Sequence, residues 1–279
     1  MANLVKKIRT NAGDVQIDYN ALANLPAINN NLLINSDFRN PVNQRGKTSY
    51  TGTGSNILYT VDRWGVINGP TVTIQQDDSL KIKNPSNSAY SARFKQIFEK
   101  ALPVDFYTIS VKVKSNTNKV YINNLGEIQA GFTGIYSHTS IERSLSEIDI
   151  IIAPGATIEI EWIKLEQGSI ATPFVPRLKG EELALCQRYY EKRTVMFFPY
   201  GGVNPTTYYL AVNGADHRVT KCQLPKITAT ALTDHNNTAA GVNFVSATQD
   251  KDGIRLMTVS ANCDKYLLRS DIEFDAEIY

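Results

Sequence analysis

The chain has 279 residues, with lysine plus arginine numbering 29 against 27 for aspartate plus glutamate, a formal net charge of +2. That length holds one large core or two medium ones, and the near-balance of charge leaves no electrostatic case for a nucleic-acid partner, which needs a concentrated basic face. No apolar run reaches the roughly 18 to 20 residues that span a bilayer, and none follows the basic Lys6, Lys7 and Arg9, so neither membrane insertion nor a secretory signal peptide is expected.

Residues 1–30 read as a separate piece. Asp18 or Asn20 could cap one helical turn that Pro26 stops, but the segment is too short to bury itself and needs another surface. The other reading is a disordered arm. From Asn31 to about Val175 the pattern becomes strand-like alternation. Ser79–Lys83, Tyr107–Lys114 and Thr157–Leu165 place apolar and polar residues in strict turn, one face in a core and one in water. Turn formers separate these runs at Asn84-Pro85-Ser86, Ser115–Asn118 and Ala153–Ala156. Many short strands without alternating long helices predict an all-β chain with a two-sheet sandwich. Within it, Val61–Trp64 reads as a strand and Gly46–Asn56 as a surface loop. Residues 180–192 carry the one credible helix, with Glu181 and Glu182 in its first turn, where negative charge is favoured. Strands resume over 193–279: Thr194–Phe198, Tyr208–Val212, Gln223–Pro225, Gly241–Val245, Ile254–Val259 and Asp271–Tyr279.

The segment Trp162–Phe174 (WIKLEQGSIATPF), followed by Gly180–Tyr190 (GEELALCQRYY), resembles the strand end, exit loop and short helix that join two β-domains in bacteriophage tail-fibre and related prophage appendage proteins. Gln16–Pro26 resembles the N-terminal attachment region of such fibres. Asn31–Phe38 (NLLINSDF), Tyr59–Trp64 (YTVDRW) and Trp162–Glu166 resemble, in that order, their jelly-roll domain of carbohydrate-binding-module type. The resemblance implies an attachment and oligomerisation segment at 1–30, a jelly roll at 31–176, a linker and helix at 177–192, and a C-terminal β-sandwich-like domain at 193–279 serving as fibre tip. It also implies a homotrimer in the virion tail, assembled in the bacterial cytoplasm, joined to a tail or baseplate protein and recognising bacterial surface polysaccharide.

Catalytic chemistry has little support in these residues. The three histidines, His138, His217 and His235, form no metal-binding or zinc-hydrolase spacing, and no Gly-x-Ser-x-Gly elbow or phosphate-loop lysine is present. The three cysteines, Cys186, Cys222 and Cys263, exclude a Cys-x-x-Cys metal site and read as small buried hydrophobes, with a Cys222–Cys263 bridge left open. A glycosidase needs two carboxylates about 5 to 9 Å apart. Asp77 with Asp78, Glu147 with Asp149, and Glu159 with Glu161 are the available pairs, the last two on faces where charge keeps a sheet wet. The alternative for Asp77-Asp78 is a part in a calcium site, although no dense oxygen-ligand loop is visible, and no cofactor is expected.

Sugar recognition needs an aromatic face for stacking and fixed polar groups for hydroxyls. The candidates in the first domain are Tyr59, Arg63, Trp64, Tyr90, Tyr136 and His138, with Tyr50 nearby; Trp64, among alternating neighbours, suits a core better than a surface, Trp162, alternating with Ile160 and Ile158, still more so, and Tyr136 and His138 read as loop residues. In the second domain the candidates are Tyr200, Asn204 and Tyr208 in one loop and His235 and Asn236 in another, both also readable as long β-turns. Three functions follow from the sequence: a non-enzymatic receptor-binding fibre protein, a structural spacer or baseplate accessory without ligand, and a polysaccharide depolymerase. An exposed aromatic cleft separates the first from the second, and two convergent carboxylates in a groove would mark the third.

Overall fold

The structure is a computed structural model that describes residues 7–10, 13–16, 30–85, 87–123, 125–204, 207–211, 218–229, 233–234, 243–249, 252, 254–260 and 268–278, with side chains described within 30–194, 218–228, 252 and 271–278. Two short strands open it, β1 (Lys7–Thr10) and β2 (Gly13–Gln16), paired antiparallel. Then come β3 (Ser49–Thr51), β4 (Leu58–Tyr59), β5 (Gly65–Ile67), β6 (Thr71–Ile74), β7 (Leu80–Lys83), β8 (Ala92–Asp105), β9 (Tyr107–Asn116), β10 (Val120–Ile122), β11 (Gly126–Ile128), β12 (Gly134–Thr139), β13 (Arg143–Ile152) and β14 (Thr157–Gln167). Helix α1 (Lys179–Gln187) follows, and after it β15 (Tyr190–Asn204), β16 (Thr207–Ala211), β17 (Lys226–Ala229), β18 (Thr233–Asp234), β19 (Asn243–Gln249), β20 (Ile254–Ser260) and β21 (Leu268–Asp275).

Two antiparallel six-stranded sheets, ordered β11-β10-β13-β8-β5-β4 and β12-β9-β14-β7-β6-β3, enclose one core in a β-sandwich arrangement consistent with a jelly roll. Alternation decides which residues fill it. Phe94, Ile148, Ile150 and Ile152 come from one sheet, and Leu80, Ile82, Ile109, Val111, Val113, Ile158 and Ile160 from the other. At its centre Trp64 stacks on Phe94 (4.7 Å between centroids, 11° between planes) and meets Phe38 edge-on at 5.4 Å. The indole N–H donates to the Asn35 carbonyl at 2.9 Å, so the buried ring leaves no polar atom unpaired. After α1, strands β15 to β21 form a further sheet of seven strands among the described residues, rather than a visible second sandwich.

Several local expectations are corrected. Val61–Trp64 lies in a tight turn between β4 and β5, not in a strand; the Thr60 amide donates to the Trp64 carbonyl at 2.8 Å and Arg63 holds φ of 71°. The polar stretch 46–56 contains β3, paired to β6 by alternating threonines and Tyr50. Helix α1 stops at Gln187 because Tyr190 is already pairing with Asp275. Gln223–Pro225 is irregular, and β17 begins one residue later, at Lys226. The turn expected at 18–26 lies outside the described residues, as does Cys263.

Candidate functional site

The motifs that stood out in the sequence converge on two internal joints. The first is an exit clasp on β14. Register shifts at Glu159/Ile160 and Ile160/Trp162 turn Trp162 out of the core alternation. Trp162 is buried on the outer face instead, stacked under Phe174 (4.6 Å, 6°) of the segment that leaves the strand. The buried Lys164 ammonium donates to the carbonyls of Thr172 and Pro173, each at 3.1 Å, and pairs with Glu166 at 3.1 Å. Glu166 in turn accepts from the Thr172 amide at 2.9 Å and hydroxyl at 2.6 Å. Although burial works against its charge, these donors hold its carboxyl below the usual carboxylate range. Asn31 closes the same end, accepting from the Leu165 amide at 3.0 Å and donating to the Ile163 carbonyl at 3.1 Å.

The second joint locks the sandwich to the following sheet. Arg63 is fully buried; its guanidinium lies 3.6 Å from the Tyr189 ring centroid and pairs with Glu277 at 2.5 Å. Arg45 sits 3.8 Å from the Tyr190 ring centroid, 3.1 Å from Asp62 and 3.5 Å from Glu277. The Tyr59 hydroxyl donates to the Ile278 carbonyl, and Gln44 donates to the Tyr190 carbonyl at 2.7 Å. Three sequence candidates thus have structural employment: Tyr59 and Arg63 belong to this junction and Trp64 to the core, with no face left for a ligand. The core reading of Trp64 holds, whereas Tyr59 and Arg63 are taken up by Ile278 and Glu277, partners more than two hundred positions away that no local pattern announces.

Tyr136 and His138, in contrast, come together at the surface. They lie on edge strand β12, not in a loop, two residues apart and hence on one face. Their rings are parallel to within 8°, with centroids 6.5 Å apart, and Phe132 meets Tyr136 edge-on at 6.3 Å. Gly126, on the facing edge strand β11, makes room for them. At φ of 110° it occupies a conformation that side-chain-bearing residues avoid, and a Cβ there would fall 2.1 Å from the Tyr136 hydroxyl and 2.9 Å from His138. Burial raises the Tyr136 pKa, while the Glu127 backbone bonds the hydroxyl. Beside Glu127, in register on β10, stands Tyr121, 48% exposed. Lys119 pairs with Glu127 at 3.1 Å, and the Gln129 amide donates to the same carboxylate at 2.8 Å. The result is an aromatic cluster, Phe132–Tyr136–His138, with Phe132 and Tyr136 half-buried against the core and His138 exposed, while Tyr121 and the Lys119–Glu127–Gln129 group lie on the opposite face of β10 and β11, because Glu127 alternates with Gly126 and the buried Ile128. Tyr121, Lys119, Glu127 and Gln129 were missed in the sequence. Alternation in Lys119-Val120-Tyr121-Ile122 was their available signal.

Tyr90 is 70% exposed in the turn after β7 and stands apart from this edge, its carbonyl held by Asn84 at 3.1 Å. Tyr200, Asn204 and Tyr208 fall in β15 and β16, with side chains outside the described set, and His235 and Asn236 lie outside the described residues. At least one carboxylate of each pair is committed elsewhere. Lys95 binds Glu147 at 2.7 Å and Arg93 binds Asp149 at 2.5 Å; Lys81 holds Glu159 at 2.8 Å, and Lys114 holds Asp77 at 2.6 Å. Among the described residues no group of histidine, cysteine, aspartate or glutamate is arranged to hold a metal ion, and no helix is long and apolar enough to cross a membrane. Another opening, a cleft of about 230 Å³ between Asn31–Asn40 and Phe174–Glu182, is lined by groups already bonded to one another: Arg177 to the Leu33 carbonyl at 2.7 Å, Lys179 to the Asn40 carbonyl at 2.7 Å.

No family model matches the chain, and no curated protein matches it. Among solved structures, recombinant discoidin II of Dictyostelium discoideum aligns over 68% of this chain and 79% of that one, at 11% identity and a TM-score of 0.22. At that score nothing about fold or ligand is carried across.

Proposed function

We propose that this chain is a non-enzymatic binding protein that recognises glycan through the aromatic edge formed by Tyr136 and His138. The observation carrying the proposal is the pair of parallel rings seated over Gly126. Such an edge offers an aromatic face for a sugar's C–H surface, with the Tyr136 hydroxyl and the His138 imidazole as polar groups for its hydroxyls. The sequence resemblance extends the reading to a phage tail fibre that adsorbs to bacterial surface polysaccharide. In that reading residues 1–30 attach a homotrimer to the tail or baseplate, 31–176 carry the sugar-binding sandwich, 177–192 link, and 193–279 form the tip. Three linked sites raise apparent affinity without strong individual contacts.

The test is a screen of purified protein against bacterial surface and cell-wall polysaccharides, with reducing-end release assayed in the same wells. Saturable binding without release, lost in Tyr136→Ala, is the expected result. Release of reducing ends would sink the non-enzymatic reading. Binding that survives Tyr136→Ala would remove the edge as its seat. One observation favours a second reading, that of a structural spacer: the resemblance motifs serve the exit clasp and the junction, which are internal joints. Absence of binding to every glycan would support it.

A further inference from the structure

We propose that one end of the sandwich is an interface between copies of this chain, in which the segment preceding Asn30 of one copy covers Val104, Phe106, Ile141 and Ile170 of the next. Those four side chains are between 45% and 75% exposed. Backbone pairing brings them to one end. Phe106 alone turns the chain from β8 into β9, and its carbonyl accepts from Gly168 at 2.7 Å, two residues before Ile170. Ser140, next to Ile141, donates to the Tyr107 carbonyl at 2.8 Å, and Arg143 pairs with Asp105. An apolar end built from three separate turns is the kind of surface a lone soluble domain rarely leaves uncovered.

The chain itself points to the cover. Asn30 enters the sandwich beside this end: its amide donates to Glu166 at 2.7 Å, and Glu166 pairs with Thr108, two positions from Phe106. Upstream lies the β1–β2 ribbon of four residue pairs, with Ile8 opposite Val15 and no third strand among the described residues. A two-stranded ribbon is marginal alone and needs a surface. Between ribbon and sandwich, residues 17–29 include Ile17, Leu22, Leu25 and Ile28, and that length reaches about 40 Å when extended, enough to pass to a neighbour. Reciprocal exchange around a symmetry axis then closes the assembly. The inference rests on the self-association proposed above and not on the glycan reading.

The experiment compares the full chain with the full-length double variant Phe106→Asp/Ile141→Asp by analytical ultracentrifugation. Lysine-reactive cross-linking of mixed light- and heavy-isotope copies accompanies it. The expected outcome is an oligomeric wild type with isotope-mixed cross-links from Lys6 or Lys7 to Lys100. The variant should associate at least about tenfold more weakly while keeping its melting curve, since exposed apolar side chains contribute little to folding. A monomeric wild type at micromolar concentration would overturn both the surface and the self-association. An oligomer indifferent to the variant would overturn the surface alone, and cross-links confined to single copies would overturn the exchange. Polysaccharide binding per chain, measured on the variant, keeps these outcomes separate from the fate of the sugar site.

Discussion

Arg63 shows how much one residue's environment changes its meaning. Its left-handed backbone costs on the order of 1 kcal/mol, and persists because Glu277 accepts from both its amide, at 3.1 Å, and its guanidinium. Removing one partner of a buried ion pair strands the other charge, so Glu277→Ala should cost about 3 to 5 kcal/mol in chemical denaturation. Replacing Arg63 and Glu277 together with methionine and leucine should recover much of that loss. Asp62 adds a pH dependence. Burial pushes its pKa up from 3.8 to about 7, against the pull of Arg45 and Gln44. A carboxyl with a raised folded pKa binds its proton more tightly folded than unfolded. That stabilisation is complete below the unfolded value of 3.8 and is lost as pH rises through about 7. Thermal melts should therefore show wild type losing stability from about pH 4 to pH 7, and Asp62→Asn losing less across the same window; equal slopes would contradict the assignment.

At the scale of elements, a bulge in β14 decides what its alternation can and cannot tell. Before the bulge Ile158 and Ile160 face the core; after it Ile163 and Leu165 do, and Trp162 is left to the outer face. The departing segment then has something to lie on. Phe174→Ala should cost about 1 to 2 kcal/mol by exposing Trp162 and losing the ring pair, seen as increased accessibility of Trp162 fluorescence to quencher. The edge formed by β11 and β12 depends in the same way on one backbone position. A methyl at Gly126 meets the Tyr136 hydroxyl and strains a positive φ. Gly126→Ala should therefore displace both rings and reduce polysaccharide binding at least about tenfold, a loss of 1.4 kcal/mol. Retained binding would show that the rings are an edge plug and no more.

For the whole molecule, the junction makes the C-terminal residues part of the sandwich's own structure. Glu277 and Ile278 reach Arg63, Arg45 and Tyr59, while Arg188 holds Glu99 at 2.6 Å from the other side. Calorimetry should then show the two β-units melting together in wild type and as two separate transitions in Glu277→Ala, because coupling between units sustains a single transition. Two transitions in wild type would mean that the junction transmits little.

Alternation in Tyr107–Lys114, Ser79–Lys83 and Thr157–Ile160 was sufficient to establish an all-β chain, its turns and most of its core, because a period of two is a local property that burial on one face imposes directly. The acidic first turn and short length of α1 were legible for the same reason. What the sequence left undecided was the destination of residues whose partners are far away in the chain. Trp162 could not be assigned a face without the bulge, nor Arg63 a role without Glu277, which lies 214 positions later. Tyr136 and His138 were visible as candidates, but their alignment depends on a glycine in another sheet. Local periodicity is written in neighbouring residues, whereas joints and surfaces are set by which distant segments the folded sheets bring within hydrogen-bonding reach, and only the tertiary structure decides that.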